Sequence, residues 1–547
     1  MERTRVSLLF FLLIGWQISL AVDIKQLPQE EQSLADTVDP WGLAFSDQLT
    51  RFNSYFEKFP GAEFVLGLTH NLVKLWPNKY WFRGVVIGPG GDQPIKNLWA
   101  VTGSTASFQL AILPKIGAPV SLYTVSTYCP LPVAIFREEF LSLESPPYPR
   151  FQSQEWPDPL VPERACELSG VQAGIFLIEI KIPPTETRSR IFCEVRVTAR
   201  KGQTVKISIP VEIVRLNIQP KNFPLVAWFE RESLSDAQFE QMCLLALEHH
   251  LQPLSKDYLR SLWRQPEKFE QFIRLLLNNG QRYFQVSEVD QTFYDFLKRR
   301  NWLPYFLVYS NVDEPSQETF FQKNIPYAER FRQEFPGLRI FLASEYHPQM
   351  ERGCDIWLTD LSSSKYDPRT FKIPEKPEMW HYFCHLPIRY QMRAPLTLAP
   401  NMLIDNPALE HRLAVWMSWH FGARGIFVWA GNREWKSLKN FWETGNFEPP
   451  QYKYPYGGKH HGNGFLVYPP LTADSQVIPS LRLKILRDAM EDLAIFNAIK
   501  KQSGATMKEF INPVPEVFIH PHYYDHLPET LLLFRDKLLS QLRKIGR

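Results

Sequence analysis

The sequence predicts two folded regions in tandem, an N-terminal antiparallel β-sandwich over residues 22–220 and a C-terminal (β/α)8 barrel over residues 221–547. Up to about residue 218, short segments alternate apolar and polar residues, which is typical of half-buried strands. Beyond residue 222, helix-length periodic segments alternate with short apolar runs. This pattern predicts a barrel, with a doubly wound sheet as the alternative. A chain of 547 residues is also too long for one hydrophobic core.

The first 21 residues are typical of a secretory signal peptide. Arg3 and Arg5 precede an uncharged stretch at 6–22, and Ser19-Leu20-Ala21 provides a small-x-small cleavage site. A retained membrane anchor is the alternative, but an uncharged stretch this short that contains Gln17 falls below a comfortable bilayer span. The sequence therefore predicts a secreted or periplasmic protein with no stable membrane insertion after signal removal.

The sandwich prediction depends on runs with a hydrophobic period of two. The runs lie at residues 107–113, 174–182 and 205–214. Residues 23–60 are charged and carry few strand signals, so we expect them to be helical or irregular. The proline-rich stretch at 144–162 predicts a long connection over the surface of the sandwich.

The barrel prediction depends on alternating helix and strand signals. Residues 235–248 have apolar side chains at helical spacing after a capping serine, Ser233 or Ser235, and residues 267–279 repeat the pattern. The apolar runs that predict strands lie at 225–229, 283–286, 305–309, 339–343, 355–358, 379–384 and 425–429, and an eighth is expected near 251–254.

Composition narrows the function. The formal net charge is +3 with acids and bases interspersed, which argues against nucleic acid as a partner. Aromatic residues make up 14% of the chain, and their rings suit the apolar C–H face of a pyranose, although most such rings in any protein serve packing. A neutral substrate is therefore the default expectation, and the rings are compatible with a glycan or glycoconjugate as the partner.

The six cysteines indicate neither a metal site nor a disulfide scaffold. Their spacings are wide, so each is interpreted as a small buried hydrophobe, with one bridge expected at most among those in the first half. The adjacent histidines His460 and His461 have no third ligand nearby in the sequence. We therefore predict no metal and no cofactor.

Two adjacent carboxylates, Asp313 and Glu314, follow the apolar run at 305–309 and precede Pro315. A buried parallel strand ends there, and barrel enzymes keep their catalytic acids at the C-terminal ends of strands. The alternative interpretation is an ordinary acidic cap of the next helix.

Several blocks of the second half resemble glycoside hydrolase family 123 and its relatives that carry the domain of unknown function 4091. The blocks are Val312-Asp313-Glu314-Pro315, Asp355-Ile356-Trp357, Trp380-His381-Tyr382-Phe383-Cys384, Gly425-Ile426-Phe427-Val428-Trp429-Ala430 with Asn432, Gly462-Asn463-Gly464-Phe465-Leu466-Val467-Tyr468-Pro469 and Leu486-Arg487-Asp488-Ala489-Met490-Glu491-Asp492. Asn463 and the pair Ala489-Met490 depart from the expected pattern. The resemblance is looser in the first half, at Pro157-Asp158-Pro159-Leu160.

This resemblance implies an exo-acting, retaining β-N-acetylgalactosaminidase. It gives Glu314 the role of general acid/base, and it gives Asp313 the role of orienting the 2-acetamido group of the substrate, which attacks C1 to form an oxazolinium. Neighbouring residues can hardly straddle a sugar as the two carboxylates of a conventional retaining enzyme do. Successive side chains on a strand also point in opposite directions, so both acids share a pocket only if the loop turns at this point.

Other residues near strand ends are candidates for substrate binding. Trp357, Trp380, Tyr382 and Trp429 are expected to form walls around the sugar, with core packing as the alternative for each. Asn432 is expected to bond a hydroxyl. The helix containing Arg487, Asp488, Glu491 and Asp492 is better explained as a structural set of ion pairs.

Two alternative functions stay open. A conventional glycosidase would use Glu345 or Asp360, which also follow predicted strands, as a nucleophile. A non-catalytic carbohydrate-binding protein on the same scaffold is the other alternative, because a fold does not determine a function.

Overall fold

The computed structural model describes residues 45–77, 84–90, 97–142, 155–170, 172–216, 218, 223–344, 346–361, 378–384, 399–404, 406–433, 435, 442, 461–472, 474–502, 516–521 and 523–545. The predicted signal peptide, Glu345 and His460 lie outside these residues. None of the helices within them is long and apolar enough to span a membrane.

The N-terminal region contains two facing sheets. Their strands are β1 Phe64–Thr69, β2 Val85–Ile87, β3 Leu98–Val101, β4 Thr105–Pro114, β5 Ser121–Tyr128, β6 Val133–Ser142, β7 Glu155–Val161, β8 Ala165–Leu168, β9 Gly174–Lys181, β10 Arg190–Ala199 and β11 Thr204–Val214. One sheet has the order β2-β1-β4-β9-β6-β7 and the other β3-β11-β10-β5-β8. Neighbours are antiparallel except β11 and β3. Inward residues of both sheets form one apolar core, as expected for a sandwich.

Two features of this region refine the sequence analysis. The proline-rich stretch is not a surface connection throughout, because Glu155–Val161 forms a strand paired with β6. It lies at the edge of its sheet, where the missing N–H groups of its prolines leave no central ladder incomplete. A disulfide joins Cys129 to Cys193, which confirms the single bridge expected in the first half.

The second region is a parallel barrel. Its eight strands are β12 Leu225–Trp228, β13 Leu251–Leu254, β14 Phe284–Val286, β15 Phe306–Tyr309, β16 Arg339–Ala343, β17 Ile356–Thr359, β18 Glu378–Phe383 and β19 Gly425–Ala430, in the order β13-β12-β19-β18-β17-β16-β15-β14. All eight predicted strands are present, and every paired neighbour is parallel. The prediction of a barrel is therefore confirmed over the doubly wound alternative.

The barrel closes between β13 and β14 through side chains. The side-chain oxygen of Gln252 accepts hydrogen bonds from the backbone N–H groups of Arg282 and Tyr283, at 2.7 and 3.2 Å. The side-chain amide of Gln281 donates to the carbonyl of Pro253 at 2.7 Å. The side chains of two buried glutamines therefore replace backbone hydrogen bonds that the short strand β14 and Pro253 do not form.

Helices cover the barrel and connect it to the sandwich. They are α1 Phe45–Lys58, α2 Asp236–Glu248, α3 Lys256–Trp263, α4 Pro266–Asn278, α5 Gln291–Arg299, α6 Ile325–Glu334, α7 Ala408–His420, α8 Leu481–Gln502 and α9 Pro528–Ile545. Ser235 caps α2 in a capping box with Gln238, as the sequence predicts. Before α6, the segment Phe320–Asn324 forms a π-helical turn.

Helix α8 fastens the sandwich to the barrel with buried ion pairs. Arg482 binds Asp158 at 2.9 Å, and Lys484 and Arg487 bind Glu179 at 2.8 and 2.5 Å. Each of these side chains is buried, so each charge needs its partner. The predicted interpretation of the α8 charges as a structural ion-pair set agrees with these contacts.

Candidate active site

Asp313 and Glu314 lie in the loop after the fourth barrel strand. The strand ends at Tyr309, and one further ladder bond runs from the N–H of Ser310 to the carbonyl of Phe341 at 3.0 Å. Because β15 is parallel to its neighbours, this loop lies at the C-terminal end of the barrel, where the sequence places it.

Neither acid caps the helix that follows. The cap is Ser316, whose hydroxyl accepts a hydrogen bond from the backbone N–H of Thr319 at 3.2 Å. The alternative interpretation of the acids as an ordinary helix cap is therefore wrong, and both side chains are exposed on the barrel face.

The backbone turns sharply at Glu314. Its φ of 40° is left-handed, a conformation that costs about 1–3 kcal/mol for a residue other than glycine and is further disfavoured before Pro315. Partial burial of the carboxyl, followed by the negative charge of Asp313, raises the pKa of Glu314 above its ordinary value. The turn that a shared pocket requires is therefore present, and the two carboxylates influence each other.

The hydroxyl of Tyr309 orients Asp313. It donates to Oδ1 of Asp313 at 2.5 Å and accepts from the backbone N–H of Ala343 at 3.2 Å. Ala343 ends the neighbouring strand β16. Two strands of the barrel therefore fix the position of this carboxylate.

The side chain of Asn324 anchors the loop that carries Asp313 and Glu314. Its side-chain amide donates to the hydroxyl of Ser310 at 2.8 Å and to the carbonyl of Val312 at 3.1 Å. Asn324 is fully buried in the π-helical turn, and such turns are frequent at functional sites. The residue therefore connects the first turn of the following helix to the backbone that carries both acids.

Aromatic rings form the floor beneath the acids. Trp228 lies 5.8 Å from Tyr309 and 5.1 Å from Phe427 between ring centroids, Tyr309 lies 4.9 Å from Phe341, and Tyr382 lies 5.5 Å from Phe427. All of these contacts are edge-to-face, a favoured geometry for aromatic pairs. The floor gives the C-terminal mouth of the barrel a rigid apolar base.

Two of the four predicted aromatic walls lie at this end. Tyr382 is partly buried and packs against the residues inside the barrel, and its pKa is raised by burial and then by neighbouring groups that include Glu314 and Asp313. Trp429 follows Phe427 on the inward face of β19, and the guanidinium of Arg433 lies 5.4 Å from its ring. Both residues fit the predicted role in substrate binding.

The other two predicted walls lie elsewhere. Trp357 points outward from β17, because Ile356 and Leu358 on either side point into the barrel. Its ring is buried against Phe320 in the helical layer, at 5.3 Å. Its prediction as a wall is wrong, because strand alternation puts it on the other face.

Trp380 points inward but fills the lower half of the barrel. Its ring lies 5.1 Å from Tyr283, and its indole N–H donates to Glu378 at 2.7 Å, both at N-terminal ends of strands. A Cβ added at Gly425 would lie 2.9 Å from the ring, so the glycine makes room for it. Trp380 is core, and its prediction as a wall is also wrong.

Asn432 has a structural contact instead of the predicted hydroxyl contact. Its oxygen accepts from the backbone N–H of Glu230 at 2.8 Å, and its nitrogen donates to the carbonyl of the same residue at 2.6 Å. The side chain is fully buried. It therefore fixes the loop after the first barrel strand and is not available to a sugar.

Three residues at the C-terminal mouth of the barrel were not predicted from the sequence. Trp228 ends β12 on the same face as the inward Val226, so its position in the alternation is the signal that would have found it. The ammonium of Lys256 lies 5.7 Å from the Trp228 ring. Glu230 adds a third carboxylate, 3.6 Å from Arg433, and nothing in its local sequence distinguishes it from a loop charge.

One of the two alternative nucleophiles lies directly after a barrel strand. Asp360 follows β17 and is partly buried, whereas Glu345 lies outside the described residues. Among the residues that the structure describes, no group of three histidine, cysteine, aspartate or glutamate side chains could hold a metal ion.

Comparison with known families agrees with this geometry. Residues 279–499 match the family model described as the glycoside hydrolase 123 catalytic domain. Over these residues the chain resembles the catalytic domain of glycoside hydrolase family 123. The matched region begins before the third barrel strand, includes both acids and ends within α8. The match supports a glycosidase as the class of enzyme, and the resemblance noted from the sequence is confirmed.

A solved structure of similar fold comes from Clostridium perfringens. It is a family 123 glycoside hydrolase studied for glycolipid glycan hydrolysis, with 11% identity, a TM-score of 0.63, and coverage of 88% of this chain and 98% of that chain. At this identity the likeness concerns the fold. The comparison with curated proteins found no match.

Two further structures are much less similar. A FixG-related protein from Vibrio parahaemolyticus has 7% identity and covers 20% of this chain and 78% of its own. A conjugative transposon lipoprotein from Bacteroides eggerthii has 12% identity and covers 22% and 91%. Their TM-scores of 0.14 are too low to support a common fold.

Proposed function

We propose that this protein is a retaining glycoside hydrolase that removes a terminal β-linked 2-acetamido sugar, with N-acetylgalactosamine as the first candidate. The observation that supports the proposal is the adjacent pair Asp313 and Glu314 on one left-handed turn at the C-terminal end of the fourth barrel strand. Two neighbouring carboxylates are compatible with a substrate-assisted reaction, because the nucleophile then comes from the sugar itself and no carboxylate is needed on the opposite face of the ring.

The reaction divides the work between the two acids. The acetamide oxygen attacks C1, the bond from C1 to the leaving oxygen breaks, and Glu314 gives its proton to that oxygen. Asp313 accepts the amide N–H and stabilises the positive charge of the oxazolinium. Water then attacks C1 and gives its proton to Glu314. This attack opens the oxazolinium ring, and the product retains the configuration of the substrate.

The environment of each acid agrees with its role in this division. The raised pKa of Glu314 favours the protonated form that a general acid needs. The Tyr309 hydroxyl donates to Oδ1 of Asp313, which holds that carboxylate in a fixed orientation for the amide N–H of the substrate.

We further propose that the protein is exported, to the cell exterior or the periplasm. The signal-peptide pattern at residues 1–21 supports export. A disulfide between Cys129 and Cys193 is also typical of proteins in oxidising compartments.

Hydrolysis of aryl β-glycosides tests the proposal. Substrates with a 2-acetamido group should be cleaved, and matched substrates with a 2-hydroxyl group should not. Equal cleavage of both would favour the conventional glycosidase, and binding without cleavage would favour the carbohydrate-binding alternative. Because the Clostridium perfringens relative is associated with glycolipid glycans, a glycolipid ending in β-linked N-acetylgalactosamine is the natural substrate to try next.

A further inference from the structure

A second cavity lies far from the barrel mouth, between the sandwich and the C-terminal helices. Its volume is about 390 Å³, and its walls come from β1 and β4 of the sandwich and from α7, α8 and α9. None of the residues that line it belongs to a barrel strand. The volume is within the range of small-molecule sites, so the chemistry of the walls is informative.

Two buried arginines line this cavity with unused donors. Arg412 and Arg535 are 4% and 7% exposed, and both bind Asp492 through their Nε atoms at 2.7 Å. One amino group of Arg535 also donates to the carbonyl of Trp99 at 2.9 Å. Among the described residues, both amino groups of Arg412 and the second one of Arg535 have no hydrogen-bond partner.

The unused donors of the two guanidinium groups are open to the cavity. A guanidinium offers five N–H groups, and no amino group of Arg412 or Arg535 is among the fully buried atoms without a partner. Because both side chains line the cavity, an occupant with hydrogen-bond acceptors can bind these donors.

The opposite chemistry comes from helix α8. Asp488 accepts from Asn71 at 2.7 Å and Ser107 at 3.2 Å, and Glu491 accepts from the N–H of Thr105 at 3.1 Å. Burial raises the pKa of Glu491, and the guanidinium of Arg487 lies 3.8 Å from its carboxyl group. The walls therefore offer hydroxyl, amide and carboxyl groups beside the guanidinium donors.

The charges and the apolar wall restrict the kind of occupant. The lining contains four acidic side chains, Asp488, Glu491, Glu529 and Asp536, and two arginines, so a small anion meets mainly acids and a cation meets the arginines. Leu98, Trp99 and Leu532 provide an apolar side. A neutral molecule rich in hydroxyl groups, with one apolar C–H face, complements all of these surfaces.

We infer that this cavity is a second carbohydrate-binding site, which takes a neutral mono- or disaccharide independently of the barrel mouth. His70 and Glu529 line the cavity, and their side chains are 21% and 42% exposed.

Crystals of the full chain soaked with N-acetylgalactosamine, galactose or glucose test the inference directly. A sugar ring bounded by Arg412, Arg535 and Trp99 is expected with at least one of the three. Water alone in the cavity, with all three sugars, would overturn the inference and show a hydrated structural cavity.

A matched pair of variants on α9 tests it in solution. Leu532→Trp places a larger side chain at the cavity wall, whereas Leu533→Trp changes the next residue, which is 57% exposed. In calorimetric titrations of the sugar that occupies the cavity in the crystal, Leu532→Trp should weaken binding by about tenfold or more. Leu533→Trp should leave binding as in the unchanged protein.

Measurements of hydrolysis at the barrel mouth and of sugar binding at the cavity distinguish the two sites. Hydrolysis of an aryl β-N-acetylhexosaminide should be the same in both α9 variants, because neither residue touches the barrel mouth. The Glu314→Gln protein should keep sugar binding at the cavity. Equal sugar affinity in all three proteins and the unchanged chain, with Leu532→Trp folded by circular dichroism, would contradict the inference whatever the hydrolysis assay shows.

Discussion

The hydroxyl of Tyr309 donates a 2.5 Å hydrogen bond to Oδ1 of Asp313, four residues later in the chain. Tyr309 is the last residue of the fourth barrel strand, and the same hydroxyl accepts the backbone N–H of Ala343. The carboxylate proposed to hold the acetamide is therefore oriented by the strands and not by its own flexible loop. Orientation of this kind accounts for a large part of the catalytic effect of a positioned group.

Tyr309→Phe should lower the turnover of 2-acetamido substrates by about tenfold or more, because a misoriented Asp313 stabilises the oxazolinium less well. The loss should be similar for good and poor leaving groups. Tyr305→Phe is the matched control, since Tyr305 lies just before the other end of the same strand. Steady-state rates for the two variants decide the matter, and equal rates would show that the Tyr309 hydroxyl has no role in orientation.

Glu314→Gln and Asp313→Asn should differ in their response to the leaving group. The first variant loses general acid catalysis, typically about 10²- to 10⁴-fold, and the deficit should shrink for acidic phenols that leave without protonation. The second should be slow with every leaving group. Rates across aryl β-N-acetylhexosaminides of graded acidity provide the measurement, and rescue of only the Asp313 variant would reverse the two assigned roles.

The pH dependence of kcat/KM should show an alkaline limb that depends on both acids. Glu314 must be protonated to act as an acid, so activity should fall as the pH rises through its raised pKa. The charge of Asp313 contributes to that raised pKa, so Asp313→Asn should move the alkaline limb to lower pH. A limb that stays in place in this variant would mean that the two carboxyl groups are not coupled.

Asn324→Ala should reduce activity. It should also lower the stability of the folded protein, but by less than the truncation of a fully buried core side chain would. The variant loses the hydrogen bonds to Ser310 and Val312, worth about 0.5–1.5 kcal/mol each, and the loop with both acids loosens. Gln322→Ala, in the same turn, is the control. Parallel thermal unfolding and turnover measurements are needed, and full activity in Asn324→Ala would remove its positioning role.

Asp158→Asn should destabilise the folded protein by about 3–5 kcal/mol, because it leaves the Arg482 guanidinium buried without its charged partner. In contrast, Glu248→Gln breaks an exposed pair with Lys181 and should cost at most about 1 kcal/mol. Midpoints of urea unfolding compare the two. Equal midpoints would show that the buried pair does not hold the sandwich to α8.

The sequence predicted most of the fold because its signals are local. The alternation in residues 107–113 and 174–182 predicts sandwich strands, and both runs lie in strands of the structure. Ser235 with Gln238 predicts the start of α2 correctly. The sequence also placed Asp313 and Glu314 at the C-terminal end of a barrel strand, which is the fourth in the structure. In each case, the outcome depends on contacts between residues that are close in the chain.

The tertiary structure decided which side chains face the site. Trp357 and Tyr382 both lie on apolar strands of the barrel, yet the first packs under helices and the second packs inside the barrel against Phe427. A strand buried on both faces is apolar on both, so its composition does not reveal which face points inward. Likewise, the binding of Asn432 to Glu230 and the cavity beside Arg412 join segments far apart in the chain. The sequence by itself therefore determined the elements and the position of the acids along the chain, whereas their partners depend on packing between distant segments.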